Sequence, residues 1–194
     1  MSAIQQTLYF ILSTAINLFI MLLWARFALR AFNVSALHPI SQMIYKATNP
    51  IIVWVEKTLF PKSYRLGRWD WPCFASIVFI EIIKYGVLTL VAFYSIMPLT
   101  FWVLFTVVSL IVQPLNLLFY IVLISAVLSF IMPEGQMRLL ADVLSQLSNP
   151  FLDPIRRYLP IMGGFDFSPL VLMIVIKAIT IFLGALLPIS QFGL

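Results

Sequence analysis

The chain has 194 residues, of which 62% are hydrophobic and 10% are charged, and its formal net charge is +5. So apolar a composition excludes an ordinary soluble domain and predicts an integral membrane protein. In a membrane protein an excess of basic residues is typical of loops that face an anionic leaflet, so the positive net charge does not indicate binding to nucleic acid.

Long uncharged stretches predict an all-α fold with four transmembrane helices, because about 20 apolar residues cross a bilayer. The predicted spans cover roughly residues 7–31, 72–96, 103–131 and 169–188. The first span lacks a positively charged leader region, so we interpret it as a retained helix. Pro114 predicts either a kink in the third span or an interfacial piece before it. Ser168 is the predicted N-cap of the fourth span.

The chain is a tandem duplication. Three pairs of residues recur 99 or 100 positions apart, namely Asn17 and Asn116, Asn49 and Asn149, and Pro61 and Pro160. We therefore divide the chain into a first repeat, 4–97, and a second repeat, 98–188, each with one span, a polar loop and another span. Because each repeat crosses twice, the repeats are predicted to be parallel.

The loops carry most of the basic residues and predict the orientation. Seven of the twelve lysines and arginines lie in or beside the first loop and three lie in the second. The positive-inside tendency predicts that both loops are cytosolic and both termini external. In residues 137–147, Met137, Leu140, Leu144 and Leu147 share one helical face, which predicts an amphipathic loop helix on the membrane surface.

An Asn-Pro pair occurs in each loop, at Asn49-Pro50 and at Asn149-Pro150. The residue before a proline resists helical conformation, so each loop is predicted to contain a sharp break between two short helical pieces. Two interpretations stay open: a helical hairpin that caps the bundle, and a gate over a pore or a docking surface for a cytosolic partner.

Polar residues inside the spans are costly in lipid and predict a functional or structural cluster. The candidate residues are Asn17, Glu81, Lys84, Asn116 and Lys177. Glu81 follows Asp70, and Lys177 follows Asp166, by the same eleven positions, so an acid and a base occupy corresponding places. We predict a cluster between the repeats. It would be a structural ion pair of Glu81 with Lys84 or Lys177, a cation or proton path, or lysines that reach towards the headgroups.

Residues 148–170, SNPFLDPIRRYLPIMGGFDFSPL, resemble the YggT family, also called YlmG-like, of integral membrane proteins. Weaker similarity covers the first loop, where Lys57 stands in place of the Arg156-Arg157 pair. The motif residues of the two loops are Asn49, Pro50, Asp70, Asn149, Pro150, Arg156, Arg157, Asp166 and Pro169.

The resemblance implies a bacterial inner (plasma) membrane protein that contributes to the osmotic or extracytoplasmic stress response, with ion homeostasis as one route. The alternative is a non-catalytic scaffold for cell division or membrane-complex assembly. In chloroplasts, proteins of this kind are linked to assembly of a membrane cytochrome complex.

We expect neither an enzyme nor a bound cofactor. Cys73 is the only cysteine and His38 the only histidine, so an internal disulfide is impossible and a metal site of ordinary ligands is not expected. The expected partners are the bilayer, anionic lipid at the loops, a second copy of the chain and an unidentified protein, but no nucleic acid. Arg156 and Arg157 are the candidates for the lipid contact, although such pairs also simply set topology.

Overall fold

The computed structural model describes residues 3–59, 69–93, 98–131, 136–158 and 166–187, and all secondary structure in these ranges is α-helical. The six helices are α1 (Ala3–Ala31), α2 (Pro39–Leu59), α3 (Trp71–Phe93), α4 (Leu99–Ile131), α5 (Gln136–Tyr158) and α6 (Ser168–Ala185). The predicted all-α fold is confirmed.

Four of the described helices, α1, α3, α4 and α6, are long and apolar enough to cross a membrane. α2 and α5 lie between successive spans, and α5 contains the residues of the loop helix predicted at 137–147. α4 is a single helix of 33 residues that contains Pro114. At about 1.5 Å per residue such a helix is roughly 50 Å long, which exceeds the apolar thickness of a bilayer.

The chain forms two compact units, Met1–Gln113 and Pro114–Leu194, so the boundary falls at Pro114 inside α4. In the first unit, α1 packs against α2 and α3, and α2 packs against α3. In the second unit, α5 packs against α6. The core of the second unit includes Val122, Leu152, Leu172 and Ile176, which come from α4, α5 and α6. Whether the repeat boundary lies between residues 97 and 98 stays a prediction.

The predicted break at Asn49-Pro50 is wrong, because α2 continues through both residues as one helix of 21 residues. Pro50 lacks the N–H that would bond to the preceding turn, so local preference alone would favour an interruption. Contacts from α1 oppose it: Arg26 Nη1 donates to Thr48 Oγ1 at 3.0 Å and to Asn49 Oδ1 at 2.6 Å. Tertiary contacts therefore hold the turn in helical form.

The break predicted at Asn149-Pro150 is also wrong, since α5 contains both Pro150 and Pro154 within one helix. Here burial of apolar side chains compensates for the backbone hydrogen bond that Pro150 cannot make. Leu147 is 5% exposed and Leu152 is 2% exposed, so the apolar face packs on both sides of the proline. Of the face predicted for residues 137–147, Leu144 and Leu147 are buried, whereas Met137 is exposed.

Ser168 is not the N-cap of α6 as predicted; it is the first helical residue, and Phe167 holds the cap position without a side-chain cap bond. The Asp166 carboxylate satisfies the free backbone donor instead, accepting the Ser168 N–H at Oδ1 over 2.9 Å. An anionic side chain suits the positive end of a helix better than a hydroxyl does. Pro169 lies in the first turn.

Candidate functional site

Arg26 organises a polar cluster at the end of α1 in the first unit. Its Nε donates to Asp70 Oδ2 at 3.3 Å, and its Nη1 reaches Thr48 and Asn49 on α2. The guanidinium also lies 4.7 Å from the centroid of the Tyr45 ring. Arg26 is 9% exposed and Asp70 is 2% exposed, so one buried side chain joins three helices. We call these residues the Arg26 cluster.

Arg30 adds a second positive charge to the Arg26 cluster, with Nη1 at 3.4 Å from Asp70 Oδ2. Two arginines therefore share one carboxylate. Beside it lies a cavity of about 580 Å³ lined by residues that include Arg26, Arg30, Tyr45 and Asp70. Burial raises the pKa of the Tyr45 phenol, although the charge of Arg26 opposes that rise.

Local backbone structure fixes where these arginines lie. α1 ends in a Schellman turn: Asn33, with φ 55, donates its N–H to the Arg30 carbonyl, and Val34 donates to the Leu29 carbonyl. Leu29 and Val34 are both buried, which provides the apolar contact that accompanies this motif. The last turn of α1 is therefore pinned.

The carboxylate of Asp70 both pairs with arginine and caps the start of α3. Besides its arginine partners, Oδ1 accepts the N–H of Cys73 in the first turn of α3 at 3.3 Å. Asp70 thus satisfies an orphan donor of α3 while it neutralises arginines from α1. The start of one span is linked to the end of another through one side chain.

The second unit has a corresponding cluster around Arg156 at the end of α5. Arg156 Nε donates to Asp166 Oδ2 at 2.8 Å, and Nη1 lies at 3.3 Å from Asp153 Oδ1 and 3.4 Å from Asn149 Oδ1. These groups are much more exposed than those of the first unit: the Arg156 side chain is 41% exposed and that of Asp166 34%. Arg157 is exposed and takes no part in this Arg156 cluster.

The two clusters use the same chemical groups from different places. Each has an arginine, the asparagine of the Asn-Pro pair and the aspartate before the next span, but the arginine comes from α1 in the first unit and from α5 in the second. Burial raises the pKa of the Asp166 carboxyl, but hydrogen bonds from Ser168 and Arg156 lower it by more, so it lies below 3.8.

Inside the first unit, Lys84 connects the polar residues of the spans. Its Nζ lies 2.5 Å from Glu81 Oε2 and 3.3 Å from Asn17 Oδ1, and Gln113 Nε2 also donates to Asn17 Oδ1 at 3.1 Å. Glu81 is 0% exposed and Lys84 3%. The contact between Glu81 and Lys84 is a close ion pair, and neither carboxylate oxygen has a well-aligned hydrogen-bond donor among the described residues.

Inside the second unit, Lys177 donates to Asn116 Oδ1 at 3.3 Å and lies 4.3 Å from the centroid of the Phe119 ring. No carboxylate among the described residues of that unit forms an ion pair with Lys177. Each intramembrane lysine thus bonds the asparagine of its own unit. The meeting of all five polar residues in one cluster between the repeats stays a prediction.

Sequence patterns missed Arg26, Arg30, Thr48 and Gln113. Arg26 and Asp70 are 44 positions apart, and no periodic pattern links them. An arginine within the apolar α1 was the available signal, because such residues are buried in pairs or reach the interface. Of the described residues, no three His, Cys, Asp or Glu side chains are grouped as a metal site would require.

Two similar units of transmembrane helices, each with a docked loop helix, define a multi-pass membrane protein of tandem-repeat type. Residues 5–91 and 101–187 each match the family model described as CCB3/YggT. The chain therefore belongs to the CCB3/YggT family, as its loop motif predicted.

Bacterial relatives cover nearly the whole chain. YggT of Escherichia coli strain K12 is 33% identical over 90% of this chain and 88% of its own length. A protein from the proC 3′ region of Vibrio alginolyticus is 32% identical over 93% of this chain and 95% of its own. A Haemophilus influenzae protein is 30% identical, with coverages of 95% and 94%. No solved structure matches the chain.

Proposed function

We propose that this protein is a non-catalytic scaffold of the bacterial plasma membrane, which holds partner proteins through its loop helices and thereby contributes to the osmotic or extracytoplasmic stress response. Both loop helices would lie on the cytosolic side and both termini outside, as the distribution of lysine and arginine favours. Anionic lipid would contact the basic ends of the loops.

The proposal rests mainly on one observation: the buried charges of the first unit are paired with each other. Glu81 and Lys84 pair with each other, and Lys84 also bonds Asn17. The cavity beside the Arg26 cluster is lined by other residues. An ion path would need water or exchangeable ligands at such charges, whereas a mutually neutralised buried pair is typical of structural packing between spans.

The docking of the loop helices gives the scaffold its surface. α2 is tied to the spans by Arg26 through Thr48 and Asn49, so its outer side keeps a fixed orientation. That outer side exposes Met43, Trp54 and Lys57, which combine apolar area with positive charge. Rigid presentation lowers the entropy cost of binding a partner.

Ion homeostasis is the second candidate, and Lys177 is the observation that favours it. This residue has an asparagine and an aromatic ring as partners but no carboxylate among the described residues of its unit. An uncompensated cation within a span is a common mark of an anion or proton pathway. A conduit would depend on such charges, whereas a scaffold would not.

Growth of a strain that lacks the protein, measured under hyperosmotic stress, separates the two functions. The strain is complemented by the wild type, by the double variant Glu81→Gln/Lys84→Met, or by Lys177→Met, at equal membrane levels. A scaffold predicts normal growth with each folded variant. Loss of growth with correctly inserted variants would overturn the scaffold in favour of a conduit.

Flux of potassium and sodium in proteoliposomes provides the direct control. Wild-type protein reconstituted at a known density is expected to leave ion flux at the level of empty vesicles. Wild-type flux that disappears in Lys177→Met would contradict the proposal. Orientation is tested separately with the variants Lys57→Cys and Arg157→Cys, each made in a Cys73→Ala background, whose new thiols should react with an impermeant thiol reagent only from the cytosolic side.

A further inference from the structure

A cavity in the second unit has features that the scaffold role does not use. It measures about 550 Å³ and lies between the end of α4, the start of α6 and the end of α5. Its polar lining consists of Ser125, Ser129, Arg156 and Asp166, and its apolar lining includes Leu170 and Met173. This size is within the range of small-molecule sites.

The first repeat indicates what is missing from this cavity. Counting the same 99 positions that separate Asn17 from Asn116, Arg26 corresponds to Ser125 and Arg30 to Ser129. In the first unit, therefore, two guanidinium groups occupy the region beside the helix-capping aspartate. In the second unit, two short hydroxyl side chains stand at these positions and leave open space.

The charged side chains that line the cavity are Asp166 and Arg156, so the lining offers one negative and one positive charge to a ligand. The Asp166 carboxylate accepts hydrogen bonds from Arg156 Nε, the Ser168 N–H and the Ser168 side chain, and a carboxylate with about four acceptor sites keeps capacity for a further donor. Ser129 donates its hydroxyl to the Ala126 carbonyl at 2.6 Å, which leaves its oxygen as an acceptor.

Arg156 offers a complementary contact for an anion, because only Nε and Nη1 have described partners. Arg156 and Asp166 thus stand side by side, with free N–H donors on the guanidinium and remaining acceptor capacity on the carboxylate. A ligand with an ammonium group and a phosphate group a few bonds apart matches this pair of opposite charges.

We propose that this cavity binds a phosphoethanolamine headgroup, with its ammonium on Asp166 and the serine hydroxyls and its phosphate on Arg156. The source that the surroundings favour is a membrane lipid. Phe167 and Leu170 are 50% and 53% exposed beside the cavity at the start of the spanning helix α6. Apolar side chains next to a polar site at the end of a span fit a headgroup with its acyl chains attached.

Native mass spectrometry of the purified full-length protein tests this site. The protein is titrated in detergent with phosphatidylethanolamine, with phosphatidylcholine, which lacks N–H donors, and with phosphatidylglycerol, which lacks the ammonium. We expect phosphatidylethanolamine to bind at least about tenfold more tightly than either, because charge-assisted hydrogen bonds are lost with the others. Equal binding of the three lipids would overturn the proposal.

The variant Ser125→Arg places in the second unit the residue that the first unit carries at Arg26. Its guanidinium should fill the cavity and bond Asp166, so the preference for phosphatidylethanolamine should disappear. The matched control is Arg157→Ala, which removes an adjacent charge that does not line the cavity and should leave the preference for phosphatidylethanolamine over the equally zwitterionic phosphatidylcholine unchanged. A folded Ser125→Arg protein that keeps the preference would refute the site.

Free phosphoethanolamine distinguishes a lipid from a soluble ligand. At millimolar concentration it should displace the lipid only weakly, because it lacks the acyl chains. If it bound more tightly than the lipid, the assignment to a membrane lipid would be wrong. The comparison of lipids in wild-type protein does not depend on any variant, so it decides the question even if Ser125→Arg does not fold.

Discussion

Replacement of Arg26 by alanine, compared with the same replacement of Arg156, tests whether the first cluster holds its unit together. Both arginines contact an aspartate before a span and the asparagine of an Asn-Pro pair. They differ in burial, because Arg26 is 9% exposed whereas the Arg156 side chain is 41% exposed. Comparison of the two variants therefore measures how burial changes the contribution of a similar polar cluster to stability.

The expected losses of stability differ several-fold. Arg26→Ala removes three described hydrogen bonds and leaves the buried Asp70 with Arg30 as its remaining ionic partner. Breaking a buried ion pair costs about 3–5 kcal/mol, and the continued presence of Arg30 puts the expected loss near the lower value. Arg156→Ala removes exposed ion pairs, each of which contributes about 0–1 kcal/mol.

The free energy of unfolding is measured for both variants by titration with sodium dodecyl sulfate in mixed micelles, with helix content followed by circular dichroism. Arg26→Ala should lower it by about 3 kcal/mol and Arg156→Ala by about 1 kcal/mol. The double variant Arg26→Met/Asp70→Leu should recover most of the loss, because an apolar pair leaves no buried charge without a partner.

Two results would refute this reasoning. Equal, small losses for Arg26→Ala and Arg156→Ala would mean that the buried cluster contributes no more than an exposed one. A double variant that is less stable than Arg26→Ala would mean that Asp70 contributes more through its bond to Cys73 and its ion pair with Arg30 than through its pairing with Arg26.

Three further predictions concern single contacts. Glu81→Gln should lower the free energy of unfolding by about 3 kcal/mol, because it leaves the buried Lys84 without its carboxylate, and the apolar pair Glu81→Leu/Lys84→Met should recover most of that loss in the same titration. Gly86→Val should cost about 1–3 kcal/mol, since a Cβ at Gly86 would already lie 3.0 Å from the Trp102 ring, and addition of Trp102→Ala should reduce that cost. The pKa of Asp166 is lowered in the folded state. The carboxylate's contribution to stability is therefore complete above its ordinary pKa of 3.8 and is lost as pH falls through the folded-state pKa. Between pH 6 and pH 3 the melting temperature should therefore fall more steeply for wild type than for Asp166→Asn.

Each of these predictions has a contrary outcome. A Glu81→Gln protein as stable as wild type would mean that Lys84 gains solvent or loses its charge at no cost. Gly86→Val without effect would mean that the Trp102 ring moves freely despite its indole N–H bond to the Ile82 carbonyl at 2.9 Å. If the melting temperatures of wild type and Asp166→Asn changed equally with pH, the Asp166 carboxylate would not contribute to acid sensitivity.

The order of the elements was predictable because membrane insertion depends on local composition. Uncharged apolar stretches gave the four spans, and the recurrence of Asn17 at Asn116 gave the two repeats. The contact between Glu81 and Lys84 could also be anticipated, because the two residues lie one helical turn apart on an apolar helix. For these features neighbouring residues carry the signal, and no folded partner is needed to interpret them.

Local signals misled where a distant residue compensated for them. Asn49-Pro50 predicted a break, and it would be one in an isolated peptide, but Arg26 holds the turn from another helix. Ser168 looked like a cap because hydroxyls commonly cap helices, yet the charged Asp166 accepts the N–H of that same residue. Arg26 became relevant only through its position in space, whereas Asp166 lies two positions from Ser168 and is a local alternative to it.

The sequence by itself determined the membrane location, the tandem repeat and the α-helical class, since hydropathy, spacing and composition specify them. Tertiary structure alone decided that Arg26 reaches Asp70 across 44 positions, and that each of Lys84 and Lys177 bonds the asparagine of its own unit. The physical reason is that a buried charge takes whichever partner the packed helices bring within about 3 Å, and helix packing depends on the whole chain.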